Sequence, residues 1–198
     1  MAIVLSSFAL VAAAHALVGT ETCAARRTPL VDSMLAASGL RPGAAWDLAF
    51  IHHAGWAAHR IPGTSCSSWP FPRTTTLAVL ASSAREQLIM RTKPAEGDIV
   101  LFWSADEETF TEAAIVTCRE AVRVANNRTS YRCRMVGVSE TDAAGHASVR
   151  EVSRWIHPAE GDRLVRWIRL EPGANRRRML AAELEEDRAA FEQAGGPC

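Results

Sequence analysis

The chain has 198 residues, 48% of them apolar, and its 22 basic and 22 acidic side chains cancel to no net charge. That length holds one domain with a real core and a small appendage, and that apolar share excludes a disordered chain. The charge balance excludes the single-signed field that would steer a protein to nucleic acid or to an anionic membrane.

Residues Met1 to Ala16 support two readings. An apolar stretch ending in Ala14-His15-Ala16 has the look of a secretory signal peptide with its cleavage site, although no Lys or Arg precedes it. The same residues make an ordinary first helix, with Leu10, Val11, Ala14, Leu17 and Val18 on one face. The run is too short for a membrane span. A second helix is expected over 28–38, where Leu30, Val31, Met34 and Leu35 recur at helical spacing and Gly39 stops the pattern. After the turn Arg41-Pro42-Gly43, residues 46–58 read as a buried helix with Trp46, Ala49, Phe50, His53 and Ala57 along one stripe. An irregular Ser- and Pro-rich stretch covers 63–73. Thr74-Thr75-Thr76 then caps a helix that buries Leu77, Leu80, Ala81 and Ala84.

The second half changes period. Pro94-Ala95-Glu96-Gly97-Asp98 is a turn ahead of a core strand, Ile99 to Trp103. Residues 113–124 and 130–138 read as two strands joined across Asn126-Asn127. Residues 149–156 and 164–170 read as another pair, joined by a second Pro-Ala-Glu-Gly-Asp, Pro158 to Asp162. Helices first and an antiparallel sheet of about five or six strands after them make an α+β domain over 1–172. Past Pro172-Gly173, a C-terminal helical extension over 173–198 carries Met179, Leu180, Leu184 and Phe191, a face for packing or for a protein partner. Its charge runs, Arg176-Arg177-Arg178 and Glu183 to Asp187, read as a solvated helix face.

Five cysteines at wide spacing, Cys23, Cys66, Cys118, Cys133 and Cys198, do not form a disulfide framework. Without a Cys-x-x-Cys pair no structural zinc site is expected, and nothing in the chain calls for another metal or a cofactor. Cys118 and Cys133 fall nearly opposite each other in the first strand pair, as a cross-strand pair or as core filling. Asn127-Arg128-Thr129 matches a glycosylation sequon and is equally plain turn chemistry.

One order of features goes further. Gly43-Ala44-Ala45-Trp46-Asp47-Leu48-Ala49-Phe50 opens the buried helix, and Lys93-Pro94-Ala95-Glu96-Gly97-Asp98-Ile99-Val100 leads into the first core strand. Glu112-Ala113-Ala114-Ile115-Val116 follows on the next, then Val136 to Asp142, then Trp167-Ile168-Arg169-Leu170. From about Leu17 to Pro172 this resembles the CHAP amidase and peptidase family and its NlpC-type relatives. Those proteins carry Gly-x-Pro-Trp-Cys-Ala-Ala-Phe, Pro-x-x-Gly-Asp-Ile and His-x-Gly-Ile-Val in that order. The resemblance implies a papain-like fold and a cell-wall hydrolase ancestry. It implies a cysteine at the head of the buried helix, where dipole and free N–H groups favour thiolate, and a histidine on the neighbouring strand as its base.

In this sequence the matching positions hold Asp47 in place of the cysteine, Glu112 in place of the histidine, and Glu140 at the third, polar position. An aspartate suits a helix start, but it has neither thiolate reactivity nor an imidazole beside it. The expectation is therefore a degenerate, non-catalytic domain that binds a peptidoglycan fragment, a peptide or a protein partner, in a groove lined by Trp46, Trp69, Trp103 and His53. Two alternatives keep an active hydrolase. Asp47, Glu112 and Glu140 are one possible acid–base set. The other is a relocated thiol, Cys66 in the 63–69 loop, with one of His52, His53, His59, His146 or His157. The resemblance implies the cell envelope or secretion, while the uncharged N-terminus leaves a cytoplasmic setting open.

Overall fold

A computed structural model of the chain describes residues 7–22, 29–38, 46–59, 71, 76–84, 89–90, 94–123, 129–139, 147–156 and 165–169. The expected C-terminal helix, the turns at Asn126-Asn127 and Pro158 to Asp162, and the residues Cys23, Trp69, Cys66, Glu140, His146, His157 and Cys198 lie outside these. Within them the chain is α+β, with helices preceding an antiparallel sheet. The elements are α1 (Ser7–His15), β1 (Glu21–Thr22), α2 (Pro29–Ser38), α3 (Trp46–His59), α4 (Leu77–Ser83), β2 (Ile89–Met90), β3 (Ile99–Ser104), β4 (Thr109–Arg123), β5 (Thr129–Val138), β6 (Ala147–Ile156) and β7 (Val165–Ile168).

The 7–15 segment is a helix within the core. Its buried stripe is Ala9, Leu10, Ala13, Ala14 and Leu17, rotated from the expected one, with Val18 left exposed. Three of these five buried residues are small alanines, and α1 packs on α3 and on β4. Proline opens α2, a position where its missing N–H costs nothing. Val31, Met34 and Leu35 turn inward. Thr76 caps α4 by accepting the Val79 N–H at 3.2 Å, and Leu77, Leu80, Ala81 and Ala84 are buried as the pattern required. α3 packs against α1, α2, β4 and β5. It is apolar over far more than the expected stripe, burying Leu48, Ala49, Phe50, Ile51, His52, Ala54 and Ala58, as befits a helix with neighbours on most sides.

The sheet order is β1-β6-β5-β4-β3-β7-β2, every pair antiparallel. Five strands form its body, and the two-residue β1 and β2 sit at its edges. The strands β3 to β6 run as a meander. The expected pairing of β6 with β7 does not occur: β7 pairs with β3, Ile168 opposite Ile99 and Val165 opposite Phe102. β5 occupies one side of β6, and β1 takes the start of the other, whereas the outer side of β3 is open to β7.

The sheet curls strongly. Arg154 on β6 stands opposite Cys133, and Cys133 stands opposite Arg119. In a flat ladder Arg154 and Glu112 would be separated by two strand spacings and by the run from 112 to 119, roughly 25 Å in all. Yet Arg154 Nη2 lies 2.5 Å from Glu112 Oε2. Part of that gap is spanned by the two long side chains, and the rest requires the sheet to twist and coil. One face of the sheet thus packs Ile99, Leu101, Ala113, Ile115, Val136, Val149 and Ile168 against the helices. The other, concave face closes on its own cluster, Val100, Ala114, Val116, Tyr131, Cys133, Met135, Ile156 and Trp167.

The Pro94–Asp98 turn is tied into this second cluster. Gly97 takes φ 83°, a left-handed conformation that glycine adopts without a Cβ clash. Asp98 Oδ2 accepts the Ala95 N–H at 2.7 Å, and its carboxylate grips Arg169 through Nε at 2.7 Å and Nη2 at 2.9 Å. Both side chains are buried. Removing one partner of such a pair strands the other charge in the core, which costs about 3–5 kcal/mol. Asp98→Ala is expected to lower unfolding free energy by that order in a urea titration, with the midpoint shifting and the slope unchanged; a shift below about 1 kcal/mol would contradict a buried, mutually dependent pair.

Candidate functional site

Asp47 occupies the first turn of α3. The β4–β5 ladder begins at Ala114 opposite Gly137, and Ala113, one residue earlier, gives its N–H to Asp47 Oδ1 at 3.3 Å. Gly137 makes this junction close: a Cβ built there would lie 3.0 Å from Ala114 Cβ and 3.2 Å from the Ala113 carbonyl oxygen. The head of α3 is thereby fixed against the start of β4 by a carboxylate and a backbone amide.

Burial pushes the Asp47 carboxyl up to about 6. The hydrogen bonds from Ala113 and from its own backbone oppose that rise, the charge of Glu112 adds to it, and the charge of Arg154 again opposes it. Desolvation is the leading cause, which is how a carboxyl group reaches the neutral range without a special partner.

Glu112 precedes Ala113 and stands opposite Phe102 in the β3–β4 ladder. It is ion-paired with Arg154, whose guanidinium carbon sits 4.6 Å from the centroid of the Phe102 ring. A guanidinium stacked on an aromatic face and held by a carboxylate has lost most of its rotational freedom. The three charged groups come from α3, β4 and β6, and the curl of the sheet assembles them.

Of the three residues singled out by the resemblance, Asp47 and Glu112 are therefore neighbours, and Glu140 lies outside the described residues. The groove candidates are dispersed in role. Trp46 packs, partly buried, against the main core. Trp103 meets Phe110 edge to face, centroids 5.2 Å apart, next to the bulge between Phe102 and Trp103. His53 is half-buried, while its neighbour His52 is the fully buried histidine of α3. Trp69 lies outside the described residues.

Cys118 and Cys133 do not pair. They are free thiols, and each stands opposite an arginine, Arg134 and Arg119 respectively. Being displaced by one position across the ladder, they point to opposite faces of the sheet. Cys133 fills the concave core as the core-filling reading expects, and burial pushes its thiol up to about 11, which removes thiolate character at neutral pH.

Reading the sequence missed Arg154 and Phe102. Phe102 carried a signal, since it lies in the strand directly after the Gly97-Asp98 turn, at the register that meets Glu112. Arg154 carried none: its approach depends on coiling across three strands, and no local pattern encodes that.

Asp47 makes stability depend on pH. The folded protein holds this proton up to about pH 6, whereas an ordinary aspartate releases it near 3.8. Between those values the folded state binds more protons than the unfolded one, so the stabilisation is complete below about pH 4 and is lost as pH rises through 6. The loss is at most about 3 kcal/mol and smaller where solvent reaches the partly exposed carboxyl. Asp47→Asn keeps an oxygen for the Ala113 N–H and removes the ionisation. It is expected to raise the melting temperature at pH 8 and leave it nearly unchanged at pH 4; an equal effect at both would show that the carboxyl is not desolvated.

Compared with family models, with curated proteins and with solved structures, the chain matches none.

Proposed function

We propose that this chain is a degenerate domain of the CHAP and NlpC type, papain-like in ancestry, that has given up thiol chemistry and works by binding. Its ligand in this reading is a peptidoglycan fragment, with a peptide or protein partner as the nearest substitutes. The observation that supports it is the meeting of Asp47 at the head of α3 with the start of β4 beside Glu112. That is where a thiol and its imidazole base would meet in the family this sequence resembles. A carboxylate is a poor nucleophile toward an amide, and Glu112 is engaged by Arg154 rather than poised as a base for its neighbour.

One observation favours a second reading. A carboxyl titrating near 6 beside another carboxylate is the arrangement of an acid–base pair, and Asp47 would then be the proton donor of an active hydrolase.

A single pair of experiments separates the two. Soluble muropeptides are titrated into the protein by calorimetry, and the same mixtures are followed chromatographically for cleavage. The binding reading expects a measurable dissociation constant with every fragment recovered intact. Cleavage that disappears in Asp47→Ala would overturn it in favour of the acid–base reading, and absence of any binding would remove the peptidoglycan ligand.

A further inference from the structure

We infer that Arg154 is the ligand-reading group of this site and that what it reads is a carboxylate. The inference rests on the binding reading above and deepens it by naming the chemical group that the site takes.

A guanidinium carries five N–H donors in a plane, arranged so that a carboxylate is held by two parallel bonds along one edge. Arg154 spends one nitrogen on Glu112, through Nη2 to Oε2, and its guanidinium carbon lies over the Phe102 ring. Its other donors are uncommitted among the described residues. The side chain is 40% exposed, so it is neither sealed in the core nor free in solvent. A surface arginine must lose its side-chain freedom before it binds. Arg154 has already lost it to the ring below and the carboxylate beside it, which is the preorganisation that a bidentate contact needs.

A second carboxylate arriving here enters a neighbourhood that already holds two. The charged groups facing Asp47 among the described residues are Glu112 on β4 and Arg154 on β6. A bound anion competes for Arg154, the cation that favours ionised Asp47, and adds a like charge. Both effects raise the proton affinity of Asp47 further. Binding is therefore coupled to proton uptake, and affinity rises as pH falls from 8 toward 6. Glu112 stays as the strut that orients the guanidinium.

The test uses the full chain and two probes. Muropeptides and the same muropeptides with their carboxyl groups converted to amides are titrated at pH 6 and pH 8, in buffers of different ionisation enthalpy. In parallel, the Arg154 Nε–H resonance is followed by NMR as N-acetyl-dialanine, acid or amide, is added. The native fragments should bind at least tenfold tighter than the amidated ones and take up protons on binding. The acid but not the amide of the dipeptide should shift the Arg154 resonance. Arg154→Gln should remove the acid preference, and Asp47→Asn should remove the proton uptake while leaving that preference. Because the acid–amide comparison is made on the unaltered protein, the outcome stands even if Arg154→Gln unfolds. Equal binding of native and amidated fragments would overturn the inference and leave the binding reading intact. If no muropeptide binds, the peptidoglycan reading falls, and the dipeptide decides the inference: an acid-specific shift at Arg154 upholds it, and no shift overturns it.

Discussion

The contact between Arg154 and Glu112 joins two corners of the sheet that a flat ladder would hold roughly 25 Å apart. Much else follows from the curvature that this contact reveals. The concave face can bury Tyr131, Met135, Ile156 and Trp167 because the sheet bends around them. β6 and β7, consecutive in the chain, lie on opposite sides of β5, β4 and β3 in the ladder order. The ion pair alone does not supply the energy for this; a half-exposed pair contributes about 0–1 kcal/mol. Burial of the concave cluster drives the curl, and the ion pair marks where the two corners register.

The site sits at the seam of that construction. α3 is placed by apolar packing against α1, α2 and the sheet, so the position of Asp47 is set by the core rather than by its own interactions. Gly137 lets β5 approach β4 closely just where the ladder begins. On the opposite side of the concave core, the buried Asp98–Arg169 pair fixes the entry into β3, and with it the register that sets Phe102 against Glu112. The two polar constructions differ in kind. Asp98 is fully paired in a closed place, as a structural ion pair must be. Asp47 is desolvated with a single amide donor from another element, an arrangement that costs stability once the carboxyl ionises.

Local chemistry made the elements legible. The Thr76 cap with its apolar pattern specified α4, and the Pro94–Asp98 turn announced β3. The 3.6-residue period marked α2 and α3, and the long apolar strands around Ala114 and Met135 were plain. The errors were errors of neighbourhood. The buried face of α1 came out rotated because Ala9 and Ala13 count little in a hydrophobic pattern yet are buried. The pairing of β6 with β7 was wrong because adjacency in sequence is a weak guide once a sheet coils. Cys118 and Cys133 looked opposite until the irregularity between Val116 and Cys118 shifted the register by one. At the site, the juxtaposition of Asp47 with Glu112 could be anticipated only by laying this chain over a family pattern, whereas Arg154 could not be anticipated at all.

That asymmetry bears on what the site can do. Two adjacent acids with nothing added would repel each other and raise the proton affinity of one of them. The arginine from β6 changes the balance: it engages Glu112, opposes the rise at Asp47, and presents a stacked guanidinium beside them. None of these three groups is a thiol. Thiol chemistry needs one polarisable, deprotonated sulfur and a base within reach, and of the described cysteines Cys133 is buried and protonated at neutral pH. A rigid cation flanked by carboxylates is instead suited to holding a charged group in one orientation. The charged groups of α3, β4 and β6 therefore form one cluster, and the arginine from the distant strand is the member that ties it together.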